Sequence, residues 1–188
     1  MTHIFKTPAR LGSASARAAV AASALLLTPL AARAEALRAA VFPFELDDTS
    51  LQGEMGSPGS NESARLALIN GELRDLLAKS GRYEPVPLDP AAKKKAADMS
   101  LRTCDGCEVP LARDLGAAVS VVGWVQKVSP LILNINLVIR DVKTGNAING
   151  GSVDIRGDTD ESWSRGVKYL LRDRMHVLGP KVPQDNTQ

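Results

Sequence analysis

The sequence predicts an α/β (α+β) fold in which helices pack on a mixed sheet that ends in a three-stranded antiparallel meander. Residues 117–155 contain three runs rich in β-branched residues, separated by turn signals at Ser129 and Pro130 and at residues 143–145. Residues 61–80 and 163–178 instead repeat apolar residues at the helical spacing. A chain that carries both periods favours helices that cover one sheet.

The second run of the meander alternates most regularly. Its apolar phase, expected to face the core, contains Leu131, Leu133, Ile135, Leu137 and Ile139. The opposite phase contains Asn134, Asn136 and Arg140, which predicts a strand with one polar side. The third run places Val153 and Ile155 in phase, and Gly145 suits the left-handed position of the hairpin loop before it.

The loop between the first two runs decides which side of the first strand is buried. A two-residue loop at residues 129 and 130 would place Trp124 opposite Ile135, with Val122 on the same apolar face. Val121 and Val125 would then share the face of the asparagines. A shift of one residue would exchange the two faces.

Residues 1–34 have the composition of a secretion signal. Basic residues precede an apolar segment from Ala18 to Ala31, and Ala32, Arg33 and Ala34 form a small-x-small cleavage site. We expect cleavage before Glu35 and export to the periplasm. No cysteine lies near the cut, so no lipid anchor is expected there.

Cleavage changes the charge of the protein. The first 34 residues contain four basic residues and no acidic one, so the formal net charge falls from +2 to −2. A weakly acidic mature chain gives no support for nucleic-acid binding. We expect a single α/β domain over residues 35–180 and a loose tail over residues 181–188.

The amino-terminal half predicts shorter elements. In chain order they are a strand at Leu37–Phe44, a long loop at Glu45–Ser60, a helix at Asn61–Ser80, a strand at Tyr83–Pro87 and a weak helix that Asp89 caps. A loop as long as residues 45–60 is often functional, but its adjacent acids Asp47 and Asp48 lack a ligand series and predict no metal site. The lysines at 93–95 are interpreted as solvent-facing.

Cys104 and Cys107 are the only cysteines of the chain. In an exported protein such a pair predicts a disulfide, which would close a short local loop. A thiol-disulfide oxidoreductase is the alternative, because a helix that starts near Cys107 would lower a thiol pKa. The neighbouring acids Asp105 and Glu108 oppose a thiolate, and two sulfurs alone do not complete a zinc site.

The last helix is predicted from residue 159 onwards. Asp158 or Thr159 is the expected N-cap, and Asp160 and Glu161 are interpreted as favourable at the positive helix end rather than as cation ligands. Its apolar stripe contains Trp163, Val167, Leu170, Leu171, Met175 and Leu178. Gly179 and Pro180 are expected to end it.

His176 is the single histidine of the mature chain. Its place near the helix end predicts a favourable partner of the helix dipole. A hydrolase triad would depend on this histidine alone, and no nucleophile motif accompanies it.

Three segments resemble the amino-terminal domain of the periplasmic protein TolB: residues 66–87, residues 115–145 and residues 165–178. They carry a Ser-Gly-Arg-aromatic motif and an Asp-x-x-Thr-Gly motif. The chain also resembles the folds of the curli channel protein CsgG and of lipoproteins that activate cell-wall synthases. The resemblance implies a TolB-like domain, and we expect neither a following β-propeller nor a lipid anchor.

A second resemblance involves the cysteines. The chain is similar to an uncharacterised family of predicted secreted bacterial proteins. In that family Cys-x-x-Cys precedes Leu-Gly-Ala, and Arg-Gly-Asp-Thr-Asp-x-Ser-Trp follows the meander. The family implies no activity.

Two functional hypotheses follow. The first is a non-enzymatic periplasmic interaction module of unknown pathway, whose partner is a periplasmic or envelope protein and whose surface is Asn134, Asn136 and Arg140, or the 45–60 loop. An exposed edge strand could also serve strand addition or a homodimer. The second is an oxidoreductase that uses Cys104 and Cys107. We predict no cofactor, metal, nucleic acid or membrane span.

Overall fold

The computed structural model describes residues 35–55 and 60–179. The predicted secretion signal and the predicted tail lie outside these residues. The strands are β1 (Leu37–Val41), β2 (Glu45–Asp48), β3 (Tyr83–Pro85), β4 (Val119–Ser129), β5 (Ile132–Asp141) and β6 (Ala147–Arg156). The helices are α1 (Leu51–Glu54), α2 (Ser60–Lys79), α3 (Pro90–Met99), α4 (Glu108–Asp114) and α5 (Asp160–Tyr169), which a π-helical segment, Leu170–Arg174, continues.

The strands form one mixed sheet in the order β3-β1-β4-β5-β6, with β2 also paired to β4. The predicted meander is present, because β4, β5 and β6 pair antiparallel in sequence order. The amino-terminal strands pair parallel: β1 with β3 and β4, and β2 with β4. The α+β class and the mixed sheet predicted from the sequence are therefore confirmed.

Apolar side chains fill both sides of the sheet. On one side, α2, α5 and the π-helical segment cover a core that includes Ile69, Leu73, Val121, Val125, Leu133, Ile135, Leu137, Ile139, Trp163 and Leu171. On the other side, α3 and α4 cover a smaller core that includes Ala40, Phe42, Val86, Leu101, Val109, Ala112, Val122 and Val142. The second core extends over only one end of the sheet, and this leaves part of that face to solvent.

The predicted face of β4 is wrong. Val125 lies opposite Ile135, and Trp124 lies opposite Asn136. The cause is an irregularity between Lys127 and Ser129, where one extra residue shifts the register. Val121 and Val125 are consequently in the main core, whereas Trp124 shares the face of the asparagines.

The segment at 45–60 is not a loop throughout. β2 pairs with Trp124–Lys127, further along the same edge of β4 that β1 uses at Val119–Val121. Pro43, which has no N–H, separates the two strands, and the next amide, of Phe44, donates instead to Asn70 Oδ1 at 2.7 Å. The predicted strand at Leu37–Phe44 therefore ends at Val41, and a second strand follows it.

Several local predictions are confirmed by geometry. Asp89 caps α3 by accepting a hydrogen bond from the Ala92 amide at 2.7 Å. Thr159 caps α5 in a capping box, whose other member is Ser162. Gly145 has a φ of 75° in the β5–β6 turn.

Three predicted boundaries change. Leu131, expected to face the core, lies in the β4–β5 loop and is 71% exposed. The strand predicted at Tyr83–Pro87 ends at Pro85. The last helix ends at Arg174 rather than at Gly179, because His176 adopts a left-handed backbone with a φ of 52°.

None of the helices within the described residues has the length and apolar character needed to cross a bilayer.

Candidate interaction surface

The part of the meander that no helix covers forms an open face. Its side chains are exposed or half-buried, and they are Trp124, Gln126, Asn134, Asn136, Val138, Ser152 and Asp154. They share this side because side chains on a strand alternate, and the register aligns their phases across three strands. The open face thus combines two aromatic or aliphatic side chains with amides and one carboxylate.

Cross-strand neighbours order the open face. Trp124, Asn136 and Ser152 lie opposite one another in one row, and Gln126, Asn134 and Asp154 form the next. In the second row, Asn134 Nδ2 donates to Asp154 Oδ1 at 2.8 Å.

Arg140 binds the cysteine loop, the segment from Cys104 to Cys107, at the edge of the open face. Its Nη2 forms an ion pair with Asp105, and its Nε lies 3.3 Å from Glu108 Oε1. Glu108 is only 2% exposed and also accepts a hydrogen bond from Ser120 Oγ at 3.2 Å. The guanidinium is thereby used within the protein, and it holds the loop against the sheet.

A cavity of about 160 Å³ lies at this junction. The cysteine loop forms one wall, and Val122, Trp124, Val138 and Arg140 line the opposite side. The cysteine loop therefore forms the boundary of the open face next to Trp124 and Val138.

A disulfide joins Cys104 to Cys107, with their Cα atoms 5.6 Å apart. Between them, Asp105 and Gly106 both have positive φ values, 45° and 109°. Both sulfurs and Glu108 lie close enough together to hold a metal ion, but the disulfide consumes the two thiolates that such a site would need.

Lys127 is the centre of a buried charge cluster that sequence reasoning missed. Its ammonium lies 2.5 Å from Glu62, 3.5 Å from Asp158 and 3.7 Å from Asp48, and its side chain is 2% exposed. These carboxylates come from β2, α2 and the segment just before α5, so one cation joins three parts of the chain to β4. Arg65 adds contacts with Asp158 at 2.9 Å and with Asp160 at 3.0 Å.

The cluster shifts the pKa values of its members. Burial alone would lower the pKa of Lys127, but the hydrogen bond and charge of Glu62, with the charges of Asp158 and Asp48, raise it overall. The pKa of Glu62 is lowered, chiefly by the hydrogen bond from Lys127. The pKa of Asp48 is also lowered: burial opposes this, and hydrogen bonds from Ser50 and the charge of Lys127 outweigh it. The sequence does contain a signal for this cluster: Lys127 alternates in phase with Val121 and Val125, so it lies on the same side of β4 as these two valines.

Comparison with protein-family models shows which family this chain belongs to. The family model DUF3280, described as "Protein of unknown function (DUF2380)", matches residues 37–175, which include every strand. The chain belongs to the DUF3280 family. No curated protein matches the sequence.

The chain is similar to several solved structures. The LpoB C-terminal domain from Salmonella enterica shares 19% identity, with a TM-score of 0.47, over 65% of this chain and 84% of that one. A PelC dodecamer from Paraburkholderia phytofirmans shares 11% identity, with a TM-score of 0.47, over 73% and 86%. TolB from Acinetobacter baumannii shares 11% identity, with a TM-score of 0.39, over 74% and 29%. At these scores the neighbours carry no argument about function.

The other predicted residues of this DUF3280 protein are placed as follows. In the 45–60 segment, Glu45 and Asp47 form ion pairs with Arg102 at 3.7 Å and 3.3 Å, so two of its acidic side chains are bound within the protein.

His176 is exposed, and its carbonyl accepts a hydrogen bond from Arg82 at 2.7 Å. The lysines at 93–95 are exposed, as predicted. Of the predicted surface, Asn134 and Asn136 lie on the open face, with Arg140 at its boundary.

Proposed function

We propose that this DUF3280 protein is a non-enzymatic interaction module of the periplasm that docks on an envelope protein through the open face. Asn134 and Asn136 lie at the centre of the proposed contact, and Arg140 fixes its border. The observation that carries the proposal is the part of one sheet face that no helix covers, whereas the opposite face is packed under helices.

The composition of the open face supports docking on a protein. The open face lies on the antiparallel meander, where one face of a sheet can remain in contact with solvent. Here Trp124 and Val138 remain half-buried at the border of the second core, beside side chains that form hydrogen bonds. Aromatic residues are enriched in protein interfaces, and Trp124 lies opposite Asn136 on the open face.

Export is supported by two separate features. Residues 1–34 have the charge and apolar pattern of a secretion signal. The disulfide between Cys104 and Cys107 is the oxidised form expected outside the cytoplasm. Cleavage before Glu35 belongs to the same proposal, and the amino-terminal sequence of the exported protein tests it.

The docking proposal is tested with the tagged full-length protein, exported by its own signal and crosslinked mildly before capture. In Asn134→Lys/Asn136→Lys, two ammonium groups occupy the open face and should abolish retention of a stoichiometric partner. Ser63→Lys/Ala67→Lys adds the same charge to exposed positions of α2 and should retain it. Equal retention by both variants would exclude the open face as the docking surface.

A further inference from the structure

The carboxyl-terminal edge strand, β6, lacks the protection that the other sheet edges have. β3 spans three residues and contains Pro85, and β2 spans four residues, three of them acidic. Short, charged or proline-containing edges resist pairing with another chain. β6 spans ten residues, and Gly150, Gly151 and Ser152 in its middle leave the backbone accessible.

The register shows which backbone groups of β6 are available. The Gly157 amide donates to the Leu131 carbonyl at 3.2 Å, and Leu133 lies opposite Ile155. Because hydrogen-bonded pairs alternate in an antiparallel ladder, the odd-numbered residues 151–155 bond to β5. The N–H and C=O groups of Gly150, Ser152, Asp154 and Arg156 therefore point away from the sheet. The Gly150 N–H already donates to Asn149 Oδ1 at 2.8 Å, which leaves Ser152, Asp154 and Arg156 as the residues that offer both groups. This spacing matches the ladder that an added strand requires.

A groove runs beside this edge, between β6 and α5. Its volume is about 480 Å³, and Val153, Ile155, Gly166 and Tyr169 contribute its apolar lining. Tyr169 is 44% exposed although its ring borders the groove. A strand bound to β6 would direct alternate side chains towards α5, where this groove could hold an apolar one.

The charges around the groove are mainly basic. Arg156 and Arg165 line it, and Arg174 lies beside Gly151, with its Cβ 3.5 Å from the position that a Cβ there would take. None of these three arginines forms an ion pair within residues 35–55 and 60–179, whereas Arg65, Arg102, Arg140 and Arg172 all do. The one acidic residue of the lining, Asp154, already accepts a hydrogen bond from Asn134.

We propose that β6 binds an extended acidic peptide segment of a partner protein by strand addition. The peptide backbone pairs with Ser152, Asp154 and Arg156, an apolar side chain enters the groove, and carboxylates pair with the arginines. Acidic groups fit because an arginine fork binds a carboxylate with two hydrogen bonds. This site shares Ser152 and Asp154 with the open face but uses their backbone groups, and it does not include Asn134 or Asn136.

The test is a selection of random 12-residue peptides, displayed on phage, against the exported and purified protein. We expect enrichment of sequences that alternate apolar and other residues and carry a net negative charge. A synthetic copy of a selected peptide should slow hydrogen exchange at the amides of Ser152 and Asp154, because it pairs with them. The Val153 and Ile155 amides, already bonded to β5, should change much less.

Two variants separate backbone pairing from charge. Ser152→Pro removes an outward N–H without breaking the ladder to β5, so it should keep a cooperative unfolding transition and lose the peptide. Arg156→Glu/Arg165→Glu should weaken binding by on the order of tenfold or more. Lys93→Glu/Lys95→Glu makes the same net charge change on α3 and should bind as the parent does.

Three results would overturn the proposal. One is a selection that enriches no peptide, or enriches peptides without an acidic bias. Another is equal binding to Ser152→Pro and to the parent. The third is a stable dimer that Ser152→Pro dissociates, because β6 would then be occupied by a second copy of this chain. Each leaves the experiment on Asn134 and Asn136 unaffected, so failure here is distinguishable from failure of the proposed function.

Discussion

Replacing Lys127 by methionine should destabilise the fold strongly. Methionine fills a similar volume but removes the cation that three carboxylates share. Glu62 then has no cationic partner within ion-pairing distance among the described residues, while Asp158 keeps Arg65 at 2.9 Å. Removing one partner of a buried ion pair costs about 3–5 kcal/mol of unfolding free energy. Because Arg65 still neutralises Asp158, we expect the lower end of this range, about 3 kcal/mol.

Urea unfolding followed by circular dichroism measures this loss directly. For a domain of this size, a loss of about 3 kcal/mol lowers the melting temperature by roughly 10 °C. Lys95→Met is the matched control, because Lys95 is exposed and forms no ion pair in the described part of the chain. Its free energy of unfolding should stay within about 0.5 kcal/mol of the parent value.

A second substitution distinguishes lost charge pairing from poor packing. In Lys127→Met/Glu62→Met, both members of the closest pair become apolar, and replacing a whole buried pair in this way is often neutral. The double variant should therefore recover most of the stability that Lys127→Met loses. A loss below about 1 kcal/mol in the single variant, typical of a surface salt bridge, would refute the buried-cluster interpretation. So would a double variant less stable than the single one.

Three further predictions follow from the same structure. Asp48 and Glu62 have pKa values below their ordinary values of 3.8 and 4.5. The stability that these two carboxylates contribute is therefore complete above those ordinary values and is lost as the pH falls through the folded-state pKa values. Urea midpoints should decrease between pH 7 and pH 3, and they should decrease less steeply in Lys127→Met. Gly123→Ala should cost about 1–3 kcal/mol, because the added Cβ would overlap the ring of Phe44, whereas the open position of Gly71 should tolerate alanine; equal unfolding midpoints would contradict this. The disulfide should be structural, with a reduction potential below about −300 mV in glutathione titration, and Cys104→Ser/Cys107→Ser should still capture the partner; a potential between about −270 and −120 mV would instead favour an oxidoreductase.

The sequence predicts best where one physical requirement decides the structure. In β5 one phase is wholly apolar and the other contains Asn134, Asn136 and Arg140, so its buried side follows from alternation. Leu133, Ile135, Leu137 and Ile139 are buried as expected. The start of α3 can also be predicted from the sequence, because Asp89 followed by proline suits an N-cap and first helical position. β2 was missed because strands rarely form in sequences as acidic as Glu45–Asp48. Its acids are tolerated there because Arg102 and Lys127 neutralise them.

The candidate surface was predicted in part for the same reason. The polar phase of β5 placed Asn134 and Asn136 on one side, and the structure keeps them there. Trp124 was assigned to the opposite side, although it lies beside Asn136 on the open face. The role of Arg140 in holding the cysteine loop depends on contacts with residues 20 or more positions away, which no local pattern reports.

The face of β4 shows why alternation alone could not orient the open face. Both of its phases are largely apolar: one carries Val122, Trp124 and Val128, and the other carries Val121, Val125 and Lys127. Over Val119–Ser129 each phase has three apolar residues, so only the lysine favours burying the phase that lacks it. The irregularity before Ser129 selects the phase with the lysine instead. The lysine is compatible with the core only because Glu62, Asp48 and Asp158 meet it there, and burial of an unpaired ammonium would be prohibitive. The acids of β2, α2 and the segment before the α5 cap therefore allow this side of β4 to be buried, which leaves Trp124 on the surface proposed for docking.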